Sequence, residues 1–361
     1  MELQTYLREK GLASLEAEFN IRTNRHQEYP NLVCLKYSQL ESPLDKAIVQ
    51  QCRGIVLNEA NDWQVVSYPY DKFFNHGETS AAKINWQEAV VYEKLDGSLM
   101  TLYFYDGAWR VQSSGTADGS GEVHLAQFSF KELFWRVWQS LDYELPAETK
   151  CCFMFELMTP YNRVVVRQPE NKLVLHGVRN VQNLQEINPL NWQGKYNWQI
   201  VQTYPFDNLS AILEATAKLD PLLGEGYIIC DADFNRIKIK SLEYVRLSYA
   251  KSSITIRKIL ETIVENETSE FLSYFPEYMA ISDRIQARYD ALVNEISQTY
   301  EQYASLETQK EFALAVKHLP YSGSLFQLRG GRVNSVRESL KTLSVQKLES
   351  LLNISELAIT I

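Results

Sequence analysis

Lys94 stands in the run Tyr92-Glu93-Lys94-Leu95-Asp96-Gly97-Ser98. The pattern Lys-x-Asp-Gly sets a nucleophilic amine beside a carboxylate, and Gly97 lets the backbone approach a ligand. Composition alone supplies such a tetrad in roughly one of every ten chains this long, so the company it keeps decides its meaning. Downstream come Glu156 in Phe153-Met154-Phe155-Glu156, Glu225 in Glu225-Gly226-Tyr227, and two lysines in Arg236-Ile237-Lys238-Ile239-Lys240. That ordered set predicts covalent nucleotidyl transfer, with Lys94 forming a phosphoramidate to a nucleoside monophosphate.

The chemistry makes demands on each position. A free lysine titrates near 10.4, so holding it neutral at pH 7 costs about 4.6 kcal/mol unless the site helps. Nearby cations help, and Lys238 and Lys240 supply them. On a strand, Arg236, Lys238 and Lys240 share one face while Ile237 and Ile239 share the other. Two ammonium groups there suit a triphosphate whose leaving pyrophosphate gathers charge, although a solvated strand edge carries such charges too. Glu156 interrupts an apolar strand and needs a metal, a ribose hydroxyl or an arginine, with Arg163 and Arg167 as ready partners. Glu156 and Glu225 together are candidate ligands for magnesium or manganese, with substrate phosphates completing the shell. Upstream, Arg53 in Cys52-Arg53-Gly54 suits a phosphate, and Lys72 beside Phe73 and Phe74 adds a point charge. A surface ion pair and a core aromatic pair are the plainer readings of those two segments.

These residues must be positioned by strands. From about Leu32 to Val245 the chain reads mainly as strands and turns. Val90 to Gly115 suggests two strands joined at Asp106-Gly107, a hairpin signal. Helices are expected over Leu3–Phe19, interrupted at Gly11, and at Val123–Leu141 and Leu209–Leu219. Then the composition changes: no glycine occurs from Lys251 through Pro320, and Ile256, Ile259, Leu260 and Ile263 recur at helical spacing. The expectation is a catalytic domain over residues 1–246 and an all-helical domain over 247–361, with breaks at Pro276 and Pro320.

The bulk numbers narrow the class. At 361 residues, 45% hydrophobic and 22% charged, the chain has room for two domains and a sizeable core. No apolar run approaches the roughly 18 residues that span a bilayer, and Met1-Glu2-Leu3-Gln4 does not open a signal sequence. The five cysteines form no C-x-x-C pair, and Cys151-Cys152 are adjacent, so reduced thiols in a cytoplasm are expected. A net charge of −9 argues against nonspecific coating of nucleic acid. The charge is segregated, however: Arg236, Lys238, Lys240, Arg246, Lys251, Arg257 and Lys258 stand against Glu243 alone.

Taken in order, the segments Cys52-Arg53-Gly54, Lys72-Phe73-Phe74-Asn75, Lys94 to Leu99, Glu156, Glu225-Gly226 and Lys238-Ile239-Lys240 resemble the bacteriophage RNA ligases of tRNA repair. The motifs from Lys94 onward are shared with DNA ligases and capping enzymes, and the two upstream segments point to the RNA ligase branch. The resemblance implies an α+β fold of packed antiparallel sheets, an ATP-grasp-like nucleotidyltransferase with the nucleotide between the sheets, followed by the all-α domain. It implies ATP as donor, a magnesium or manganese cofactor, and RNA 5′-phosphate and 3′-hydroxyl ends as substrates. It places Arg53, Lys72 and Phe74 at nucleotide or phosphate contacts, Lys238 and Lys240 on the phosphates, Glu156 at the ribose and metal, and Glu225 at the metal. Glu93 would accept a hydrogen bond from the adenine amino group, and Gly97 belongs to the same cofactor-binding set. A monomer, working on tRNA ends that a separate kinase-phosphatase prepares, completes the expectation.

One departure stands out. Where the family often carries Ser-Lys-Gly-Ser, this chain has Ser113-Ser114-Gly115-Thr116, so Ser114 lacks the expected cation. His176 and Tyr227 are the candidates for stacking on the base. The alternatives are a capping-type guanylyltransferase that transfers GMP through Lys94, an RNA-end-binding module without turnover, and a Schiff-base lysine enzyme.

Overall fold

A computed structural model describes residues 1–39, 41–123, 128–249 and 255–354. The chain divides into two units, residues 1–38 with 42–248, and residues 39–41 with 249–361.

The first unit begins with helices Glu2–Lys10 and Leu12–Phe19, which meet at Gly11, where φ is +79°. Strands β1 (Ile21–Arg25), β2 (Leu32–Tyr37), β3 (Arg53–Asn58) and β4 (Gln64–Ser67) form an antiparallel sheet in chain order. Strands β5 (Phe74–Asn75) and β6 (Val90–Lys94) open a second sheet. A third takes β7 (Ser98–Tyr105), β8 (Ala108–Ser113), β9 (Cys151–Met158), β10 (Lys172–Asn180), β11 (Glu186–Ile187) and β12 (Gln199–Ile200). The chain then returns to the second sheet with β13 (Thr203–Tyr204), β14 (Gly226–Cys230) and β15 (Arg236–Lys240). The second sheet runs β13-β6-β14-β15-β5, and the third β11-β10-β9-β7-β8 with β12 beside β10. This is the α+β, largely antiparallel architecture expected.

The stretch Val90 to Gly115 differs from its expected pair of strands. The Asp106-Gly107 turn is present, with φ +52° and +75°, and joins β7 to β8. But the chain also breaks at Leu95–Gly97, so β6 pairs in the second sheet and β7 in the third. Asp96 enforces the break. Its buried carboxylate accepts hydrogen bonds from the backbone nitrogens of Val165 and Val166 (2.9 and 2.7 Å) and from the Tyr244 hydroxyl (2.8 Å). A buried carboxylate with that many donors is a fixed anchor.

Apolar alternation sets the cores. On β9, Phe153, Phe155 and Leu157 pack with Phe134 and Trp138 of the helix Phe130–Ser140. That helix starts at the Ser129–Glu132 capping box, later than expected at Val123, and residues 124–127 lie outside those described. On β14 and β15, Tyr227, Ile229, Ile237 and Ile239 join Ile212 of the helix Leu209–Ala217 in a separate core. The helix Leu242–Tyr249 runs through the expected boundary at 246, because Tyr244 and Val245 are buried.

The second unit is helical where described, with segments including Ile256–Val264, Met279–Ala304, Gln309–Val316 and Val345–Leu352. Ile259, Leu260, Ile285, Tyr289, Phe312 and Leu348 are buried in it. Pro276 opens a short turn of helix before Met279, and Pro320 precedes the helix Ser322–Arg329. Lys251 of the basic cluster lies outside the described residues. Among the described residues no helix is long and apolar enough to cross a membrane.

Candidate active site

Strand register builds the centre of the site. Gly226 of β14 stands opposite Lys94 of β6 on one side and Lys240 of β15 on the other. Directly opposed residues of antiparallel strands share a face, so two ammonium groups flank a position without a side chain. Gly226 is required there: its φ is +152°, and a Cβ would lie 2.0 Å from the Ile239 carbonyl oxygen. Glu225 fills the gap, with Oε2 2.7 Å from Lys94 Nζ and Oε1 3.6 Å from Lys240 Nζ. Its side chain is only 5% exposed, so this is a buried carboxylate shared by two cations.

The next row of the same face carries Tyr92, Ile228 and Lys238. Lys238 also stands beside Asn75 of β5, and its carbonyl accepts from the His76 backbone nitrogen at 2.9 Å. Arg236 completes the alternation but is committed elsewhere. It forks onto Glu186 (3.1 and 2.5 Å), which also holds Arg179, and it stacks over Tyr70. Burial and that stacking partner shape its environment, and Glu186 holds the guanidinium firmly in its charged form.

A cavity of about 700 Å³ opens between the sheets, lined on the second by Tyr92, Lys94 and Ile228 and on the third by Met100, Glu156 and His176. Glu156 falls on the β9 face whose earlier residues, Cys152 and Met154, are core; where that core ends the strand presents a carboxylate to the cavity. Its partner is His176 of β10, Nε2 3.5 Å from Oε2, in place of the expected Arg163 or Arg167. Arg163 instead donates to the Val165 carbonyl. The His176 ring stacks on Tyr70, whose hydroxyl donates to the His176 carbonyl at 2.7 Å. Arg53 lines the cavity too, over the Phe73 ring, with Nη1 buried and without a hydrogen-bond partner.

A second cavity of about 460 Å³ is lined by Glu225, Asp96, Arg167 and Lys172 among others. Lys94 and Glu93 line both cavities, so the candidate nucleophile sits where the two meet. Burial raises the Glu93 carboxyl above its ordinary range, and Lys172 partly opposes that shift.

Other expected residues fall elsewhere. Gly97 lines the larger cavity, but the close approach it permits is to protein: a Cβ would lie 2.4 Å from the Leu157 carbonyl oxygen. Lys72 sits over the Tyr37 and Phe74 rings, and Phe74 is buried on β5 beside Ile237. Lys72, Phe74, Lys238 and Lys240 are not among the residues lining either cavity. Tyr227 points away, its ring packed edge-on against Tyr204 and Phe206 in the core. Strand parity explains this, since β14 turns Ile228 to the cavity and Tyr227 to the opposite side. Among the described residues no group of three or more His, Cys, Asp or Glu converges on a metal position.

Comparison with known proteins adds an independent line. The profile of the family described as RNA ligase matches residues 51–244, the span that holds every site residue above. An RNA ligase of Rhodothermus phage RM378 is 26% identical, with 94% of each chain aligned. An Autographa californica nuclear polyhedrosis virus protein, provisionally named a bifunctional polynucleotide kinase/RNA ligase, is 25% identical over 95% of this chain and 52% of its own length. An archaeal ATP-dependent RNA ligase structure aligns over 90% of each chain at 13% identity, with a TM-score of 0.46.

Proposed function

The chain belongs to the bacteriophage-type RNA ligase family, and from that premise we propose that its sheet-built unit joins RNA ends with ATP through Lys94. The observation that carries this reading is the placement of Lys94 at the meeting of two cavities, paired to Glu225 at 2.7 Å. In the first step the Lys94 nitrogen bonds to the α-phosphorus and the bond to the bridging oxygen of pyrophosphate breaks. The ion pair with Glu225 means the amine gives up a proton first, and the carboxylate beside it is the nearest acceptor. Lys240 shares that carboxylate, and Lys238 lies one row away on the same face; although neither lines a cavity, we assign both to the charge that builds on the departing pyrophosphate, from the face they share with Lys94. In the second step an oxygen of an RNA 5′-phosphate takes the adenylyl group, and the nitrogen–phosphorus bond breaks. In the third a 3′-hydroxyl attacks the RNA phosphorus, AMP leaves and the hydroxyl proton is released.

The larger cavity supplies the nucleotide's surroundings. Tyr92, Ile228 and the His176 ring give it flat and apolar walls, Glu156 offers a carboxylate to the ribose, and Arg53 offers a guanidinium to phosphate. Glu156 lines the larger cavity and Glu225 the smaller one, so the two are not brought together as a ready-made metal site; each would offer a single carboxylate to a hard divalent cation, with water and substrate phosphate oxygens supplying the rest. Such an ion supplies neutralisation of phosphate charge and polarisation at phosphorus. The ends of broken tRNA, prepared by a kinase-phosphatase, are the substrate we favour, and the helical unit is the part we assign to recognising them. We place the protein in the cytoplasm as a monomer, a setting that suits its five free, buried cysteines.

Incubation with labelled ATP or GTP, followed by intact-mass analysis, tests the reading. The expected result is one added AMP from ATP, none from GTP, and sealing of an RNA carrying 5′-phosphate and 3′-hydroxyl ends. An added GMP, or an AMP adduct without sealing, would overturn it.

A further inference from the structure

The larger cavity is lined by four lysines and arginines: Lys36, Arg53, Lys94 and Arg236. Two already have carboxylates, Lys94 with Glu225 and Arg236 with Glu186. The other two have none among the described residues. Arg53 has a buried, unpartnered nitrogen, and the one hydrogen bond of the Lys36 ammonium is to the Ser114 hydroxyl at 3.4 Å. They are also neighbours. Lys36 on β2 pairs across the ladder with Arg53 on β3, at a register shift between Leu35 and Lys36.

Two neighbouring cations, neither paired directly with a carboxylate, repel each other and are partly desolvated at the cavity wall. An entering anion relieves that repulsion. We propose that Lys36 is a phosphate-binding residue of the ligase reaction and that it supplies, from β2, the positive charge absent at Ser114. Its ammonium touches Ser114 and lies 3.6 Å from where a Cβ of Gly115 would stand, so it occupies the space above the Ser113–Thr116 turn. That turn is fixed: the Ser113 backbone nitrogen donates to the Thr116 carbonyl, and Gln112 beside it donates to the Gly54 carbonyl of β3. The charge is therefore held at a defined place, beside Arg53. The anion is a phosphate group, from the polyphosphate tail of ATP or from the RNA 5′ end. This assignment rests on the ligase reading.

The test uses the full chain with Lys36→Met, Lys36→Arg and the double variant Lys36→Met/Ser114→Lys. Three rates are followed: adduct formation from ATP, transfer of AMP from preformed adduct to 5′-phosphate RNA, and sealing of pre-adenylated RNA. Lys36→Met is expected to raise KM about tenfold or more for whichever substrate brings the phosphate, with an unchanged melting temperature. A rise confined to ATP assigns the nucleotide tail, and a rise confined to the transfer step assigns the RNA end; both support the proposal. Lys36→Arg is expected to recover most of the loss, and so is the double variant, because it returns an ammonium to the same turn. Should Lys36→Met fold poorly, the melting shift produced by ATP in Lys36→Gln gives the same readout through binding alone. The proposal is overturned if the wild type forms adduct while Lys36→Met keeps every KM, or if neither Lys36→Arg nor relocation at 114 restores a lost one. Absence of any adduct in the wild type would instead remove the ligase reading beneath it.

Discussion

The two units bury different kinds of polar group. In the sheet unit Asp96, Asp118, Arg179, Glu225 and Asp231 are all buried, and each carries a formal charge. In the helical unit the buried polar residues among those described are Thr262, Ser282, Ser324 and Ser339. Thr262 and Ser339 return their hydroxyls to their own helices, on the carbonyls of Ile259 and Val336. A buried charge is expensive unless it is paired or hydrogen-bonded, whereas a hydroxyl bonded to its own helix adds little. Charge is thus buried in one unit and absent, among the described residues, from the core of the other. Where local folding rules are broken at a cost, chemistry is the reason to look for.

The largest test of that contrast is Lys94→Arg. Arginine keeps a cation opposite Glu225 and preserves the ion pair, but it is not a nucleophile at neutral pH. Adduct formation should fall at least about a thousandfold while melting barely changes. An equal loss of stability and adduct would make Lys94 a structural cation. Next in size is a matched pair across the two units. Asp96→Ala strands buried donors and should cost about 2–4 kcal/mol, and Leu260→Ala should cost about 2–5 kcal/mol through a cavity. Denaturant titration would find both destabilised. Only Asp96→Ala should slow adduct formation under conditions where each variant is folded, because Asp96 anchors the loop that leaves Lys94 at the end of β6 and crosses to the next sheet. Equal slowing in both would dissolve the comparison. A smaller effect is expected for Gly97→Ala, whose methyl group meets the Leu157 carbonyl and must push the same loop away from β9. Slower adduct formation with a modest melting loss is the outcome, measured side by side with wild type.

How much of this was legible beforehand depended on distance along the chain. The alternation of Arg236 to Lys240 and the Asp106-Gly107 turn are local patterns, and the structure carries both. The crossing at Leu95–Gly97 was not visible. Val-Val-Tyr-Glu-Lys and Ser-Leu-Met-Thr-Leu both read as strands, and periodicity does not say which sheet a strand joins. The Glu156–His176 contact depends on the β9–β10 register and on its irregularity between Leu175 and Gly177, neither of which leaves a mark in composition. Tyr227 was a candidate for stacking because it is aromatic beside the Glu-Gly motif, and strand parity settled its direction. Lys36 had no signal at all, since a lysine in Leu-Lys-Tyr near a strand end is ordinary. Only the ladder with Arg53 gives it meaning.

The smallest prediction concerns Glu93, which carries its charge at a partly buried place on the strand beside the nucleophile. Burial raises its carboxyl, with Lys172 opposing in part. A carboxylate raised on folding binds its proton more tightly in the folded chain than in the unfolded one. The stability it subtracts is therefore absent below the unfolded value of about 4.3 and fully present above the folded value. Glu93→Gln removes that charge, so it should raise the melting temperature near pH 7, and the gain should vanish as pH falls to about 4. Glu93 stands opposite Tyr227, on the face turned away from Tyr92 and Ile228, so the expected adenine contact is not built there and KM for ATP should stay within about threefold. A gain that does not depend on pH would trace the effect to packing and leave the charge without a role. The pH-dependent gain would show the sheet unit tolerating a destabilising carboxylate beside Lys94, which the helical core, with no charge among its described buried residues, never does.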